Sequence, residues 1–428
     1  MRSKQAAIVA IIALAALIAI AQAPTARAQG TFKVLHPFTW AKYPSGTLTR
    51  DAQGNLYGAT TGGGDATPSE CKNTQGCGVI FKLAPTADGK WDVSILHEFS
   101  GPDGYNPNGG LVFDKAGNLY GTTVHGGSTP PCGVVFKLSL ESNKSWRYQV
   151  IHNFPIPGDD EGCNPNPGLT FDSEGNLFGI TAFGGNQSCD DGGFIDPGVV
   201  FELSPNADGS WSESVPYDCV ATGYAGPVFD AVGNLYGTDT AGGISNCEGG
   251  NIGCGRIFKL TPGPNGTWSF TDIYDFVPTE NNPGGAPYTS LILDRDGDLY
   301  GAAGGIFELK PKPDGTWTEL NLYTFTGNAD GCCSSGLIFD AKGNLYGAAE
   351  YGGSTACSNG CGLVFKLTPG PSEWTETVLH EFTGYGSNPG VIIGTIGTGS
   401  LIFDSAGNLY GTTPFGNPDY GLVFEITP

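Results

Sequence analysis

The chain has 428 residues, of which 69 are glycine and 30 are proline, so these two residue types make up about 23% of it. Because glycine costs about 1 kcal/mol and proline about 3 kcal/mol relative to alanine inside a helix, this composition excludes a mainly helical fold. A hydrophobic content of 39% is too high for a disordered chain. The formal net charge of −22 at pH 7 argues against binding to nucleic acid or to an anionic membrane surface.

The first 28 residues have the pattern of a secretory signal peptide. Arg2 and Lys4 precede an apolar run from Ala6 to Ala21, and Ala26-Arg27-Ala28 is an AxA-type cleavage site. Cleavage there would remove three of the 20 basic residues and leave a net charge of about −25. No later segment is long and apolar enough for a membrane span. We therefore expect a secreted or periplasmic protein, formed by residues 29–428, with no membrane insertion.

One motif is repeated seven times along the rest of the chain. Its first copy reads Asp51-Ala-Gln-Gly-Asn-Leu-Tyr-Gly58, and the other copies begin at Asp114, Asp172, Asp230, Asp294, Asp340 and Asp404. Each unit divides into four short runs that are rich in β-branched and aromatic residues and are bounded by Gly, Pro, Asn or Asp, which is typical of strands. Four strands in each of seven radial units predict an all-β, seven-bladed β-propeller.

The two ends of the chain indicate a closed ring rather than a linear solenoid. A solenoid needs atypical, polar end repeats, whereas the first and last units here match the others. The chain begins with an unpaired fourth strand, Phe32 to Phe38, and ends after a third strand, Gly421 to Ile426. We expect the N-terminal strand to complete the C-terminal blade and to leave no open edge.

The repeat DxxGNLYG(T/A)(T/A), followed by a GG pair and GxVFKL, resembles the GloVer tandem-repeat family of exported bacterial proteins. The resemblance covers essentially all of residues 29–428. It implies little about function, since members combine tandem repeats with differing C-terminal surface anchors. This chain ends in a strand without a sorting tail, which departs from that pattern.

Most of the repeated polar residues are best explained as scaffold. A tight hairpin accounts for the Asp and the Gly-Asn of each repeat. Calcium binding is the alternative at Asp294-Arg-Asp296-Gly-Asp298, although that segment lacks the closing Glu of an EF-hand loop. Two further sets recur at fixed places in the fourth strand and are interpreted as packing residues: the histidines His36, His97, His152 and His380, and the tryptophans Trp91, Trp146, Trp211, Trp268, Trp317 and Trp374.

All twelve cysteines lie in or beside the variable loops that follow the second and fourth strands, which emerge on one face of a propeller. An even number of cysteines in an exported chain predicts disulfides. The sequence leaves the connectivity open. Plausible pairs are Cys71 with Cys77, Cys132 with Cys163, Cys189 with Cys219, Cys247 with Cys254, Cys357 with Cys361, and Cys332 with Cys333 as a vicinal bond.

The same face carries the side chains that differ between the units. His125, Phe183, Tyr351 and Phe415 precede the GG position and could stack on a ligand, or simply cover the central channel. An acidic group in the loops of blades two and three could hold a divalent cation such as calcium, or be a solvated rim. Its members are Asp159, Asp160, Glu161, Asp190, Asp191 and Asp196.

No GxSxG, HExxH or phosphate-binding glycine loop is present. The sequence therefore favours a monomeric binding or scaffold module for a glycan or a protein surface, with no cofactor other than a divalent cation. The alternative is a propeller enzyme, a polysaccharide lyase or hydrolase, which would use His125 as base together with the acidic loops.

Overall fold

The computed structural model describes residues 26–27, 30–64, 71, 75–127, 132–155, 161–186, 197–220, 225–243, 253–277, 286–354, 360–383, 399–415 and 420–428. It is a seven-bladed β-propeller with four antiparallel strands in each blade, as predicted. The helical residues in the described part of the chain are of the 3₁₀ type, as in the short turn Pro264–Gly266. We number the blades along the chain and their strands from the first, which is innermost, to the fourth.

Blades one to four are consecutive units, and in blades two and three the first strand is split into two short segments. Blade one contains Lys42–Arg50, Leu56–Gly62, Val79–Pro85 and Trp91–Glu98. Blade two contains Tyr105–Pro107 with Val112–Phe113, Leu119–His125, Val134–Leu140 and Trp146–Asn153. Blade three contains Cys163–Pro165 with Thr170–Phe171, Leu177–Phe183, Gly198–Pro205 and Trp211–Val220. Blade four contains Val228–Phe229, Leu235–Asp239, Arg256–Pro262 and Trp268–Asp275.

Blades five to seven continue the ring and close it. Blade five contains Ile292–Leu293, Leu299–Ala303, Gly305–Pro311 and Trp317–Thr324. Blade six contains Cys332–Ser334 with Ile338–Phe339, Leu345–Tyr351, Leu363–Pro369 and Trp374–Glu381. Blade seven contains Ile402–Phe403, Leu409–Thr413 and Leu422–Thr427, and its fourth strand is the N-terminal Thr31–Pro37. The predicted closure is confirmed.

Residues Ala26 and Arg27 pair in parallel with Thr377 and Val378 at the outer edge of blade six. They belong to the predicted signal peptide, and the rest of residues 1–28 lies outside the described part of the chain. The cleavage site stays a prediction.

Seven hydrophobic clusters fill the seven seams between neighbouring blades. The repeat explains how these seams pack. The Gly of the LYG motif lies beneath the Phe of the VFKL motif, so that a Cβ on Gly121 would stand 2.6 Å from Cζ of Phe136. Any larger residue would therefore displace a fully buried ring, which explains the glycine.

The Asp of each repeat closes a hairpin, as expected. In blade two, Oδ1 of Asp114 accepts the backbone N–H groups of Ala116 and Asn118, both at 2.9 Å. Its Oδ2 accepts the Asn118 amide at 2.7 Å and the Tyr120 hydroxyl at 3.0 Å. These hydrogen bonds outweigh the effect of burial, and the net result is a lowered pKa for Asp114.

The segment considered for calcium has the same hairpin geometry. Asp294 accepts the N–H groups of Asp296 and Asp298 at 2.9 and 3.0 Å. The Asp298 carboxylate lies 2.8 Å from Nζ of Lys310. The Asp294 carboxylate therefore accepts the N–H groups of the hairpin, and the Asp298 carboxylate pairs with a lysine rather than with a cation.

Candidate functional site

Because strands alternate in direction, the connections after the second and fourth strands lie on one side of the propeller, which we call the loop face. The four predicted ligand residues lie there, at or just beyond the ends of second strands. Phe183 and Phe415 are 41% and 43% exposed, whereas His125 and Tyr351 are half-buried. They occupy equivalent places in blades two, three, six and seven, so the ring separates them rather than gathering them into one pocket.

At this end of the second strand, four blades have a short additional stretch of pairing with the first strand. The pairs are Lys42 with Gly62, Tyr105 with His125, Cys163 with Phe183, and Cys332 with Tyr351. The residue after the first member of each pair has a left-handed backbone: Tyr43, Asn106, Asn164 and Cys333, with φ between 56° and 59°. We call these four the left-handed residues. They turn the inner edge of the blade toward the loop face.

The His125 side chain is a neutral imidazole whose orientation is fixed by neighbouring side chains. Its Nδ1 lies 2.9 Å from the side-chain amide of Asn164, and its ring lies 5.1 Å from that of Tyr105. Burial lowers the pKa of His125. Within the described part of the chain, the polar contact of its ring is this amide and not a carboxylate.

A cluster of aromatic residues lies at the seam between blades seven and one. Phe415 packs edge-on against Tyr43 at 5.6 Å between ring centroids. Trp40, in the connection that enters blade one, is 47% exposed. Tyr420 receives Nζ of Lys42 over its ring at 4.5 Å. We call Trp40, Tyr43, Phe415 and Tyr420 the aromatic seam.

Polar side chains hold this cluster in place. Nζ of Lys42 donates to Oε1 of Gln75 at 2.7 Å, and Nε2 of Gln75 donates to the Tyr43 hydroxyl at 3.1 Å. The backbone N–H of Tyr43 donates to the carbonyl of Tyr420 at 3.1 Å. The Tyr43 and Tyr420 rings are therefore tied to Lys42 and Gln75, while Trp40 and Phe415 are partly exposed.

Tyr43 is the member of this cluster that the repeat does not explain. The equivalent left-handed residues in blades two and three are Asn106 and Asn164, and asparagine tolerates positive φ. A tyrosine at φ 59° is strained, at a cost on the order of 1 kcal/mol. Sequence reasoning missed Trp40 and Tyr43, although aligning Tyr43-Pro44 with Asn106-Pro107 and Asn164-Pro165 would have identified the second.

Five of the six acidic residues considered for a cation lie outside the described residues: Asp159, Asp160, Asp190, Asp191 and Asp196. The sixth, Glu161, is exposed, and its charge adds to the burial that raises the pKa of Glu213 to about 8. The described residues contain no group of three or more His, Cys, Asp or Glu side chains that could hold a metal ion.

Two of the disulfides expected from the sequence are formed within the described residues. Cys71–Cys77 and Cys132–Cys163 are disulfides. Cys219, Cys254 and Cys361 are also disulfide-bonded, while their predicted partners Cys189, Cys247 and Cys357 lie outside the described residues. Cys332 and Cys333 are free thiols, so the predicted vicinal bond is not formed in this structure.

Within the described residues, no helix is long and apolar enough to cross a membrane.

The chain is similar to several solved propellers at low identity. A protein assigned as a gluconolactonase is 18% identical with a TM-score of 0.40, and the match covers 83% of this chain and 96% of that one. A gluconolactonase of Xanthomonas campestris is 15% identical with a TM-score of 0.38, covering 74% and 86%. A protein assigned as a glucose dehydrogenase of Thermus thermophilus is 15% identical with a TM-score of 0.43, covering 81% and 98%. At these TM-scores the matches carry no argument about function.

No curated protein matches the chain. The model of the Gloeobacter/Verrucomicrobia repeat family matches residues 25–248 and 189–396, which together span most of the sequence. Those residues contain six of the seven copies of the DxxGNLYG repeat and the third strands that follow them. The chain therefore belongs to the Gloeobacter/Verrucomicrobia repeat family.

Proposed function

We propose that this protein is an exported binding module that recognises an uncharged glycan through the aromatic seam. The single observation that carries the proposal is Tyr43, a tyrosine in a left-handed conformation where the repeat uses asparagine. Scaffold needs alone would favour asparagine there, because asparagine has the lower backbone strain. A strained aromatic residue that packs against the exposed ring of Phe415 is better explained by contact with a ligand.

The chemistry of the aromatic seam suits a sugar ring. Aromatic faces stack on the apolar side of a pyranose, and nearby polar groups bind its hydroxyls. Trp40 and Phe415 supply exposed rings, and Gln75 is an exposed amide that already orients Tyr43. Because Lys42, Gln75 and Tyr43 hold one another, little side-chain entropy is left to lose on binding.

The charge of the chain narrows the class of ligand. A net charge of −22 repels anionic polysaccharides, and Lys42 is engaged by Gln75 and Tyr420. An uncharged glycan avoids this repulsion. A protein surface is the other ligand considered, and it would have to be neutral or basic at the contact.

Export is supported by the disulfides, since such bonds persist in oxidising compartments. The predicted signal peptide agrees with this location. We expect the protein to act as a monomer, either in the periplasm or outside the cell.

The enzyme alternative depends on His125. A lyase or hydrolase needs a base and a second group that stabilises the developing charge. The His125 ring is neutral and could accept a proton, but its described polar partner is the Asn164 amide. The geometry therefore supports binding better than catalysis.

The test is an array of glycans and polysaccharides probed with the mature protein and three single variants, Trp40→Ala, Tyr43→Asn and Phe415→Ala. We expect each variant to weaken the interaction at least tenfold while the fold is retained. Phe183→Ala is the matched control, because Phe183 is equally exposed at the equivalent place in blade three. Binding that depends on Phe183 and not on Phe415 would disprove the seam assignment.

Each glycan that binds is then assayed for turnover, with and without a chelator. Retained ligand without product supports the binding module. Product formation that is lost in His125→Ala would establish the enzyme instead. If no glycan binds, the ligand class is wrong, and a protein partner becomes the next subject of the search.

A further inference from the structure

Cys332 and Cys333 differ from the other cysteines that the structure describes. Seven described cysteines form disulfides, whereas these two neighbours are free thiols. They lie in the short inner segment Cys332–Ser334 of blade six, on the loop face, and Cys333 is exposed. The chain thus carries two adjacent free thiols, of which Cys333 is exposed and Cys332 is half-buried.

The deletion of one loop explains why Cys332 has no partner. Cys163 is its equivalent in blade three, since both pair with the last residue of the second strand. Cys163 is bonded to Cys132, which lies in the long connection between the second and third strands of blade two. In blade five the corresponding connection is a tight turn in which Ala303 pairs with Gly305. That turn has no cysteine.

The position of Cys333 places its sulfur beside that of Cys332. Successive side chains of a regular strand point to opposite faces. Cys333 is instead a left-handed residue, at φ 58°, where blades two and three have asparagine. The side chains of Cys333 and Cys332 are within hydrogen-bonding reach of each other. The two sulfurs are therefore neighbours in space as well as in sequence.

We propose that Cys332 and Cys333 form a redox-active dithiol that exchanges with disulfides of small molecules or other proteins. After losing its proton, Cys332 attacks one sulfur of a disulfide RSSR, forming a mixed disulfide and releasing RS⁻. Cys333 then loses its proton to RS⁻ and attacks the Cys332 sulfur. This closes an eight-membered ring and releases the second RS⁻, which takes up the proton that Cys332 lost. The net reaction converts two thiols and RSSR into one vicinal disulfide and two RSH.

The ring explains why this pair stays reduced while the others are bonded. Adjacent Cα atoms are about 3.8 Å apart, below the usual separation of roughly 4.4–6.8 Å across a disulfide. A disulfide under such strain is reduced more readily than the long-range pairs. Burial, Cys332 and the Glu350 carboxylate raise the pKa of Cys333 to about 12, and we therefore place Cys333 in the resolving role and Cys332 in the attacking role.

The test uses oxidised glutathione as the disulfide and intact mass as the readout. Untreated protein should take up two alkyl groups without reductant, both mapping to Cys332 and Cys333. After treatment, wild type should lose two hydrogens and carry no glutathione. Cys333→Ser should instead accumulate a stable adduct on Cys332, and Cys332→Ser should form its adduct roughly tenfold more slowly.

The double variant Cys332→Ser/Cys333→Ser is the control and should remain unlabelled. A wild-type protein that keeps both thiols in excess oxidised glutathione would overturn the proposal. So would a glutathione adduct on wild type that persists, since it would mean that Cys333 does not resolve it. A second arm, in which a cysteine-containing protein disulfide replaces glutathione, distinguishes a small-molecule partner from a protein one.

Discussion

His152 of blade two lies against Glu213 of blade three, with Nε2 of the histidine 3.3 Å from Oε2 of the carboxyl group. Both residues lie in the fourth strands of their blades. Glu213 precedes by four residues the position in blade three that corresponds to His152 in blade two. The same relationship recurs around the ring. Two of the other seams have hydrogen bonds, Tyr274 to Glu319 at 2.8 Å and Tyr323 to Glu376 at 3.1 Å.

Three further seams have stacked rings at these two places. Their centroid distances are 3.8 Å for His97 with Tyr148, 4.1 Å for Tyr217 with Phe270, and 4.1 Å for His380 with Phe32. Three of the four repeated histidines, His97, His152 and His380, thus join the outer strands of neighbouring blades. This is the packing role that their fixed place in the repeat indicates.

The His152–Glu213 seam should make stability depend on pH. Burial, together with the Glu161 charge, raises the pKa of Glu213 to about 8, while burial lowers the pKa of His152 to about 4. Between pH 6.5 and 8 the folded state keeps the Glu213 proton that the unfolded state has lost. Stability must therefore fall as pH rises through this window. Below pH 6.5 the histidine has the opposite effect and offsets the trend.

Glu213→Gln removes that titration. We expect this variant to be more stable than wild type at pH 9, by on the order of 2 kcal/mol, and the difference to shrink toward pH 5. Chemical denaturation at several pH values measures this difference in the free energy of unfolding. Glu319→Gln is the matched control, because it removes the acceptor of the Tyr274 hydroxyl at the same place of another seam and should be destabilising. A pH-independent effect of Glu213→Gln would contradict the prediction.

The hairpin of blade three lacks one hydrogen bond that its neighbours have. Tyr120 donates its hydroxyl to Asp114 at 3.0 Å, but the repeat of blade three has Phe178 at that place, against Asp172. We expect Phe178→Tyr to stabilise the protein by about 1 kcal/mol and Tyr120→Phe to destabilise it by a similar amount. Thermal melts of both variants give the answer. The two variants must change the melting temperature in opposite directions. If both lower it, the blade-three seam has no room for the hydroxyl.

Blade four has a buried ion pair where other blades have an uncharged pair. Asp239 lies opposite Arg256, at 3.1 Å, where blades one and two have Thr60 with Val79 and Thr123 with Val134. Asp239→Thr alone should cost roughly 3 kcal/mol, because it removes a buried carboxylate that pairs with the buried guanidinium. Adding Arg256→Val restores the pair of the repeat and should recover most of the loss. A double-mutant cycle by chemical denaturation measures this coupling.

The repeat predicts the fold well because every blade needs the same few features. The Asp hairpin and the Gly beneath Phe136 can be identified within one unit. The place of the N-terminal strand, Phe32 to Phe38, follows when the two ends of the chain are combined into one blade. The seam pairs could not be predicted in this way. His152 meets Glu213 across two blades, so the contact depends on how one sheet is rotated against the next. Tyr43 was missed for a related reason, since its left-handed backbone becomes informative when three blades are compared.

Closure by the N-terminal strand should be a large part of the stability of the ring. Residues Thr31 to Pro37 pair with Leu422 to Thr427, and the N–H of Phe38 donates to the carbonyl of Gly421 at 3.0 Å. Phe38 is buried against Phe81 at 5.0 Å in the seam between blades seven and one. A chain that begins at Thr39 loses these contacts, including two phenylalanine side chains that each contribute roughly 2 kcal/mol. We expect a sharply lower melting temperature, whereas a chain that begins at Gly30 keeps the strand and should melt like the mature protein. Equal melting curves for the two truncations would show that the ring does not depend on this strand.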